Sequence, residues 1–242
     1  MLRHVPLYRE VFALPGFLAD PVLIFGVQDV RIPDIHFAQG AGLPWRRRVE
    51  RILHLLRFRW EILRGRAVPC GTVPREYRSG DLSGILENLG AREIHSLDLF
   101  DARADLRYDM NQPVPDHEHE RYGTLIDIGS LEHLFDTAQC LENCLRMVRP
   151  GGHYLLHTPV KGYLGHGLHT FNPEGLFDAF TENEFAIVFR CFTAKSGRIL
   201  EDVGGADDVL LWLVGRKVGS LKTFQPPQQK VWSGYYHRLG RT

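Results

Sequence analysis

The sequence predicts an α/β fold, a mainly parallel sheet wound on both faces by helices, and three observations lead there. Short apolar runs at residues 22–25, 93–98 and 124–128 have the length and composition of buried parallel strands. Segments with helical spacing alternate with them, as βαβ units require. The runs close on glycine or acidic residues, Gly26, Asp98 and Gly129, where such sheets place their ligands.

Taken in order, Val22-Leu23-Ile24-Phe25 is the first strand, closed by Gly26. Residues 44–66 turn helical, with Trp45, Val49, Ile52, Leu53, Leu56, Trp60 and Leu63 as the apolar stripe and arginines filling much of the rest. Residues 69–80 read as loop and 81–89 as a helix stopped by Gly90 in a left-handed cap. The next strand ends on Asp98, and residues 104–110 form another short strand before a Pro-rich turn. Asp136 is a helix N-cap with Gln139 completing a capping box. That helix carries Cys140, Leu141, Cys144, Leu145 and Val148 on one face until Arg149-Pro150-Gly151-Gly152 stops it. A strand at 153–158 follows, then a helix opened by Asn172-Pro173, with proline in its first turn. Strands at 185–192 and 209–218 close the fold, and 219–242 is a basic, Pro/Gln-rich tail expected to be loosely ordered.

Composition narrows the function classes. The chain has 242 residues, 44% hydrophobic and 24% charged, enough for one large α/β domain with a real core. A formal net charge of +0 argues against a nucleic-acid binder that works by bulk charge. None of the 4 cysteines forms a C-x-x-C pair, so no zinc knuckle or dithiol redox site is signalled. No apolar run reaches the ~20 residues of a membrane span and no signal-peptide core is evident, so the expected location is cytoplasmic.

Four strand ends carry chemistry in sequence order. Gly26, with Val27 and Gln28, opens a loop whose backbone N–H groups can approach a ligand. Asp98 can accept both ribose hydroxyl protons, with Leu99 beside it. Asp109 offers an acceptor to an adenine amino group, and Met110 an apolar contact to its ring. Gly129 leaves space, and Ser130 is placed to cap the next helix. The four in order suit a bound adenosine.

These residues, with the run from Tyr122 to Pro159, carry a resemblance. Tyr122-Gly123-Thr124-Leu125-Ile126-Asp127, Leu131-Glu132-His133-Leu134-Phe135-Asp136 and the R-x-x-R-P-G-G run from Arg146 to Gly152 come in the order seen in class I methyltransferases. Over about residues 21–218 the sequence resembles the small-molecule type of that family. The resemblance implies a Rossmann-like, doubly wound, seven-stranded-type sheet in a single domain at 1–218, with S-adenosylmethionine as cofactor. It implies methyl transfer, to oxygen, on a small-molecule or glycan acceptor. Two departures stand out: the family's glycine-rich first loop keeps only Gly26, and Gly123 replaces a common aspartate. The degenerate loop leaves a cofactor-free protein of the same fold as the rival reading. A nicotinamide-dependent sugar oxidoreductase would need a G-x-G-x-x-G that is absent. About 65 residues separate Val30 from Ile94, too many for a simple βα connection, and predict a helical lid insertion at about 31–80.

Glu132 and His133 follow the fourth strand, and His166 and His169 follow the fifth. Two readings stay open for them. Glu132 and His133 can simply start a helix. Alternatively His133 and His169, with Glu132, do acid–base work, since a near-neutral imidazole suits removal of an acceptor's proton. His157 and His166 are further candidates. Glu-His plus a later His also resembles the metal-binding pattern of some O-methyltransferases, but their additional glutamate is Gly129 here, so no metal is assigned. The arginine-rich segment 44–66 fits a solvated lid face, an anionic membrane surface, or a phosphate-bearing acceptor. Nucleic acid is not expected, because no aromatic stacking motif accompanies the arginines.

Overall fold

The computed structural model describes residues 5–28 and 82–228. The chain divides into two compact units, residues 1–28 with 90–242, and residues 29–89. The lid expected at 31–80, its arginine-rich helix and the end of the basic tail from 229 lie outside the described residues. Of the second unit, helix α2 (Leu82–Asn88) is described; it buries Leu82, Ile85 and Leu86.

The first unit holds helix α1 (Val5–Phe12) and strands β1 (Val22–Phe25), β2 (Ile94–Leu97), β3 (Tyr122–Ile128) and β4 (Val148–Lys161). Helix α3 (Thr137–Met147) lies between β3 and β4 in sequence. Helix α4 (Pro173–Thr181) and strands β5 (Phe185–Thr193) and β6 (Val209–Lys217) complete it. The sheet order is β2-β1-β3-β4-β6-β5. The first four strands run parallel, and β6 is antiparallel to both β4 and β5.

Helices cover both faces. On one, Tyr8 of α1 packs edge-on to Trp212 with ring centroids 4.6 Å apart, and Trp212 stacks on His157 at 4.0 Å. On the other, Cys140, Cys144 and Leu145 of α3 join Leu125, Tyr154 and Leu156 in the main core, and Phe180 of α4 stacks on Tyr154 at 5.1 Å. Strict alternation along β4 sends His157 to the first face and Tyr154, Leu156 to the second, the period of two expected of a strand. The fold is thus α/β, doubly wound and Rossmann-like.

Local chemistry sets the ends. Asp136 Oδ1 accepts the Gln139 N–H at 2.9 Å as an N-cap should. The capping box is only half made, because the Gln139 side chain donates to Asn143 Oδ1 at 3.0 Å instead of reaching back. Asn172 caps α4 through the Glu174 N–H at 3.0 Å, with Pro173 in the first turn.

Three expectations need correction. Residues 104–110 are not a strand: they pair with β2 only at Leu106, opposite Leu97. The cause is Asp105, whose carboxylate takes the Ser96 N–H and hydroxyl, both at 2.8 Å, where a ladder carbonyl would bond. Among the described residues the sheet therefore has six strands, with a single bridge beside β2 at Leu106. Second, β4 begins directly after α3, at Val148. Third, the tail is pinned over its first ten residues: Leu221 and Phe224 pack on the main core, and the Gln225 backbone exchanges bonds of 2.7 and 2.9 Å with buried Asn183. Among the described residues no helix is long and apolar enough to cross a membrane.

At the amino edge of the parallel strands, Lys217 is fully buried. Its ammonium donates to the carbonyls of Leu145 and Val148 at 3.1 and 2.7 Å, closing the end of α3, and lies 3.4 Å from Glu120. Replacing Lys217 with Met should leave those carbonyls unsatisfied and cost about 2 kcal/mol, read as a lower urea midpoint at unchanged slope.

Candidate active site

β1 lies between β2 and β3, so the strand order reverses between β1 and β3, where parallel sheets open a crevice at their carboxyl edge. Gly26 sits at the end of β1 with φ +80° and donates its N–H to Leu97 O at 2.8 Å. A Cβ here would stand 2.8 Å from Ser130 Oγ, so only glycine fits. Ser130 Oγ donates to Phe25 O at 2.8 Å and caps no helix, contrary to the sequence expectation. The hydroxyl stitches the ends of β1 and β3 together. Gln28 folds back, its amide donating to Phe25 O at 3.3 Å.

Asp98 follows β2. Its Oδ1 accepts the N–H groups of Phe100 and Asp101 at 2.9 and 3.0 Å. Its Oδ2 receives only a long 3.5 Å approach from Val27 N–H among the described residues, which leaves an acceptor beside the β1 loop. Leu99 is 40% exposed and Phe100 89%, an apolar surface next to that carboxylate. Sequence reading passed over Phe100, although an aromatic two residues beyond a strand-ending acid was the signal. Asp109 is exposed and holds Asn111 in a local turn. Met110 is buried in the main core, so its side chain packs inward. Asn143 of α3 fixes this segment, donating to Met110 O and Gln112 O at 3.2 and 2.8 Å and accepting Val114 N–H at 3.2 Å.

Asp127, the penultimate residue of β3, is fully buried. Its Oδ1 accepts Ser130 N–H at 2.8 Å, and its Oδ2 lies 3.4 Å from the Tyr154 hydroxyl. Burial, reinforced by the charge of nearby Glu132, pushes its pKa up to about 8 against the pull of these donors. It terminates the strand in a single 3-10 turn, Leu131–His133, where a longer helix start was expected. Glu132 is 1% exposed. Its Oε2 accepts the Thr158 hydroxyl at 3.0 Å, and its Oε1 stands 3.7 Å from His166 Nε2.

The backbone carbonyl of Glu132 accepts the N–H groups of Leu168 and His169 at 2.8 and 3.1 Å, clamping the loop after β4 onto the turn. Gly167 permits that approach, since a Cβ there would be 2.8 Å from the same carbonyl. The His133 and His166 rings meet edge-on at 5.2 Å. His169 Nε2 lies 3.2 Å from Phe135 O; a carbonyl only accepts, so Nε2 is the donor and Nδ1 is the nitrogen not engaged by that contact. His157 belongs instead to the Tyr8–Trp212 stack on the sheet face. Phe135, Leu164 and Leu168, on the same turn and loop, are exposed.

Gly26, Val27, Asp98, Ser130, Glu132, His133, His166 and His169 therefore share the carboxyl edge of one sheet. The arrangement can accept hydroxyl protons, seat a flat ring and present an imidazole nitrogen to a reacting group. A cavity of about 290 Å³ at the opposite edge does not compete. Its Lys217 and Ser220 are bonded to Glu120, and its Arg146 to Glu142 and to the Leu221 carbonyl.

No protein-family model and no curated protein matches the sequence. Among solved structures, the chain is similar to an S-adenosylmethionine-dependent methyltransferase from Mesorhizobium loti, at 16% identity and TM-score 0.42, over 56% of this chain and 85% of that one. It is also similar to the 1,6-didemethyltoxoflavin-N1-methyltransferase of Burkholderia thailandensis, solved with 1,6-didemethyltoxoflavin and S-adenosylhomocysteine. That match has 15% identity and TM-score 0.46, over 90% and 79% of the two chains. A geranyl diphosphate methyltransferase bound to S-adenosylmethionine gives 13% and 0.41, over 56% and 74%. At such identities and scores the fold assignment rests on the sheet topology itself.

The raised Asp127 pKa has a pH consequence. A carboxyl that holds its proton in the fold but not in the unfolded chain stabilises fully below about pH 4, and that contribution is lost as pH rises to about 8. Asp127→Asn keeps an acceptor for Ser130 N–H and removes the titration. Urea midpoints should fall between about pH 5 and about pH 8 in the wild type and fall less in the variant.

Proposed function

We propose that this chain is an S-adenosylmethionine-dependent methyltransferase acting on a small-molecule acceptor, with the methyl group delivered to oxygen. One observation carries the reading: the crevice between β1 and β3, where Gly26 meets Ser130 and Asp98 keeps a carboxylate oxygen beside Val27. An adenosine-bearing ligand fits that donor and acceptor set. Asp98 Oδ2 takes a ribose hydroxyl, exposed Phe100 and Leu99 flank the base, and Asp109 offers its acceptor to an adenine amino group. Gly26, Val27 and Gln28 line the first loop, and Gly129 and Ser130 the far wall. The order of motifs from Tyr122 to Pro159 supports the same conclusion.

The cofactor, when bound, supplies a sulfonium-activated methyl group. The chain has to orient the acceptor and take its proton. His169 is the base of choice, because its Nε2–H is spent on Phe135 O and its Nδ1 is open. His133 stands edge-on to His166 of the same loop, and Glu132 ties that loop to the turn through its carbonyl. The exposed Phe135, Leu164 and Leu168 favour an acceptor with an apolar part, of which a lipid-linked glycan is one form. We place the protein in the cytoplasm, with segment 44–66 as a contact for anionic membranes; absence of pelleting with anionic liposomes at low salt would remove that contact.

Calorimetry with S-adenosylhomocysteine tests the core of the reading. The wild type should bind, and Asp98→Ala should weaken binding by about 10- to 100-fold. No binding at millimolar ligand would leave the cofactor-free protein of the same fold as the answer. With the acceptor in hand, His169→Ala should lower kcat by about 10²- to 10⁴-fold while cofactor affinity holds.

A further inference from the structure

We propose that Glu132, His133 and His166 bind one divalent transition-metal cation at the mouth of this site, of the zinc or manganese kind, with open positions for an oxygen of the acceptor. The inference deepens the methyl-transfer reading and rests on it only for the role of the cation. One ligand atom from each of the three side chains lies within 4.8 Å of the other two. Nitrogen and oxygen ligands on one tetrahedral ion lie about 3.3–3.6 Å apart. The 3.7 Å between Glu132 Oε1 and His166 Nε2 is close to that spacing. His133 and His166 are exposed side chains with room to close the remainder.

The electrostatics point the same way. Glu132 and Asp127 are both buried. Among the described residues neither has a lysine or arginine partner, and the groups gathered at the Glu132 carboxylate are the two imidazoles. Thr158 occupies Oε2 and leaves Oε1 toward the histidines. Such a second hydrogen bond is what orients a carboxylate ligand. The ligands come from two segments, and the Glu132 carbonyl ties those segments together through Leu168 and His169. The two ligand-bearing segments are therefore held together before any ion arrives. One carboxylate and two imidazoles select a borderline transition-metal ion over calcium or magnesium. With His133 coordinated, His169 remains as the base.

The test is equilibrium dialysis of the untagged full chain against zinc chloride and, separately, manganese chloride, with bound metal counted by mass spectrometry. A single ion per chain is expected, with affinity falling at least about ten-fold in His166→Ala and in His133→Ala. Both residues are exposed, so the variants should keep the wild-type near-ultraviolet dichroism. Either no stoichiometric ion in the wild type, or an ion whose affinity is unchanged in both variants, would overturn the proposal. The readout needs no cofactor: failure to bind S-adenosylhomocysteine sinks the methyl-transfer reading and leaves this result standing, and the reverse holds too.

Discussion

The carboxyl edge of the sheet hangs on one buried carboxyl group, that of Asp127. It ends β3, and by taking the Ser130 N–H it bends the chain into the turn that carries Glu132 and His133. From there the dependence runs outward. The Glu132 carbonyl holds the loop after β4, and that loop carries His166 and His169. A protonated carboxyl suits this position, since an ionised one beside Glu132 would place two negative charges in the same dry volume. A strand-end acid is usually read as a ligand; here it is a bracket.

The two ends of the sheet do different work. At the amino edge, polar groups are paired off inside the protein: Lys217 closes α3, and Glu118, 1% exposed, takes Tyr122, Tyr108 and Arg121. At the carboxyl edge, acceptors and imidazoles are left open to solvent or to a ligand. That asymmetry, rather than the size of any cavity, separates site from scaffold.

Much of the fold was legible in sequence, because apolar runs and caps are local signals. The strands at Val22–Phe25 and Tyr122–Ile128, the Asp136 cap and the Pro173 start lie where their residue types require. The failure at 104–110 came from a side chain, Asp105, competing for a backbone donor on a strand that sequence distance conceals. The site was legible as a set of residues and not as a set of contacts. Asp98 and Ser130 lie at the expected edge, yet Ser130 spends its hydroxyl on Phe25 and Met110 turns into the core. Asn143 and Thr158 carry no motif at all. Their roles come from what a third segment brings within 3 Å or so.

Gly167 shows how far such contacts reach. It has no side chain, and its Cα hydrogen space is where the Glu132 carbonyl and Cγ fit. Any larger residue would push back on the turn and, through it, on the one carboxylate that faces His166. In a mutational scan, position 167 would behave as though it took part in the chemistry, and would be scored beside the histidines. Its whole contribution is vacancy: the chain keeps a gap one methyl group wide so that two segments can share a hydrogen-bonding carbonyl.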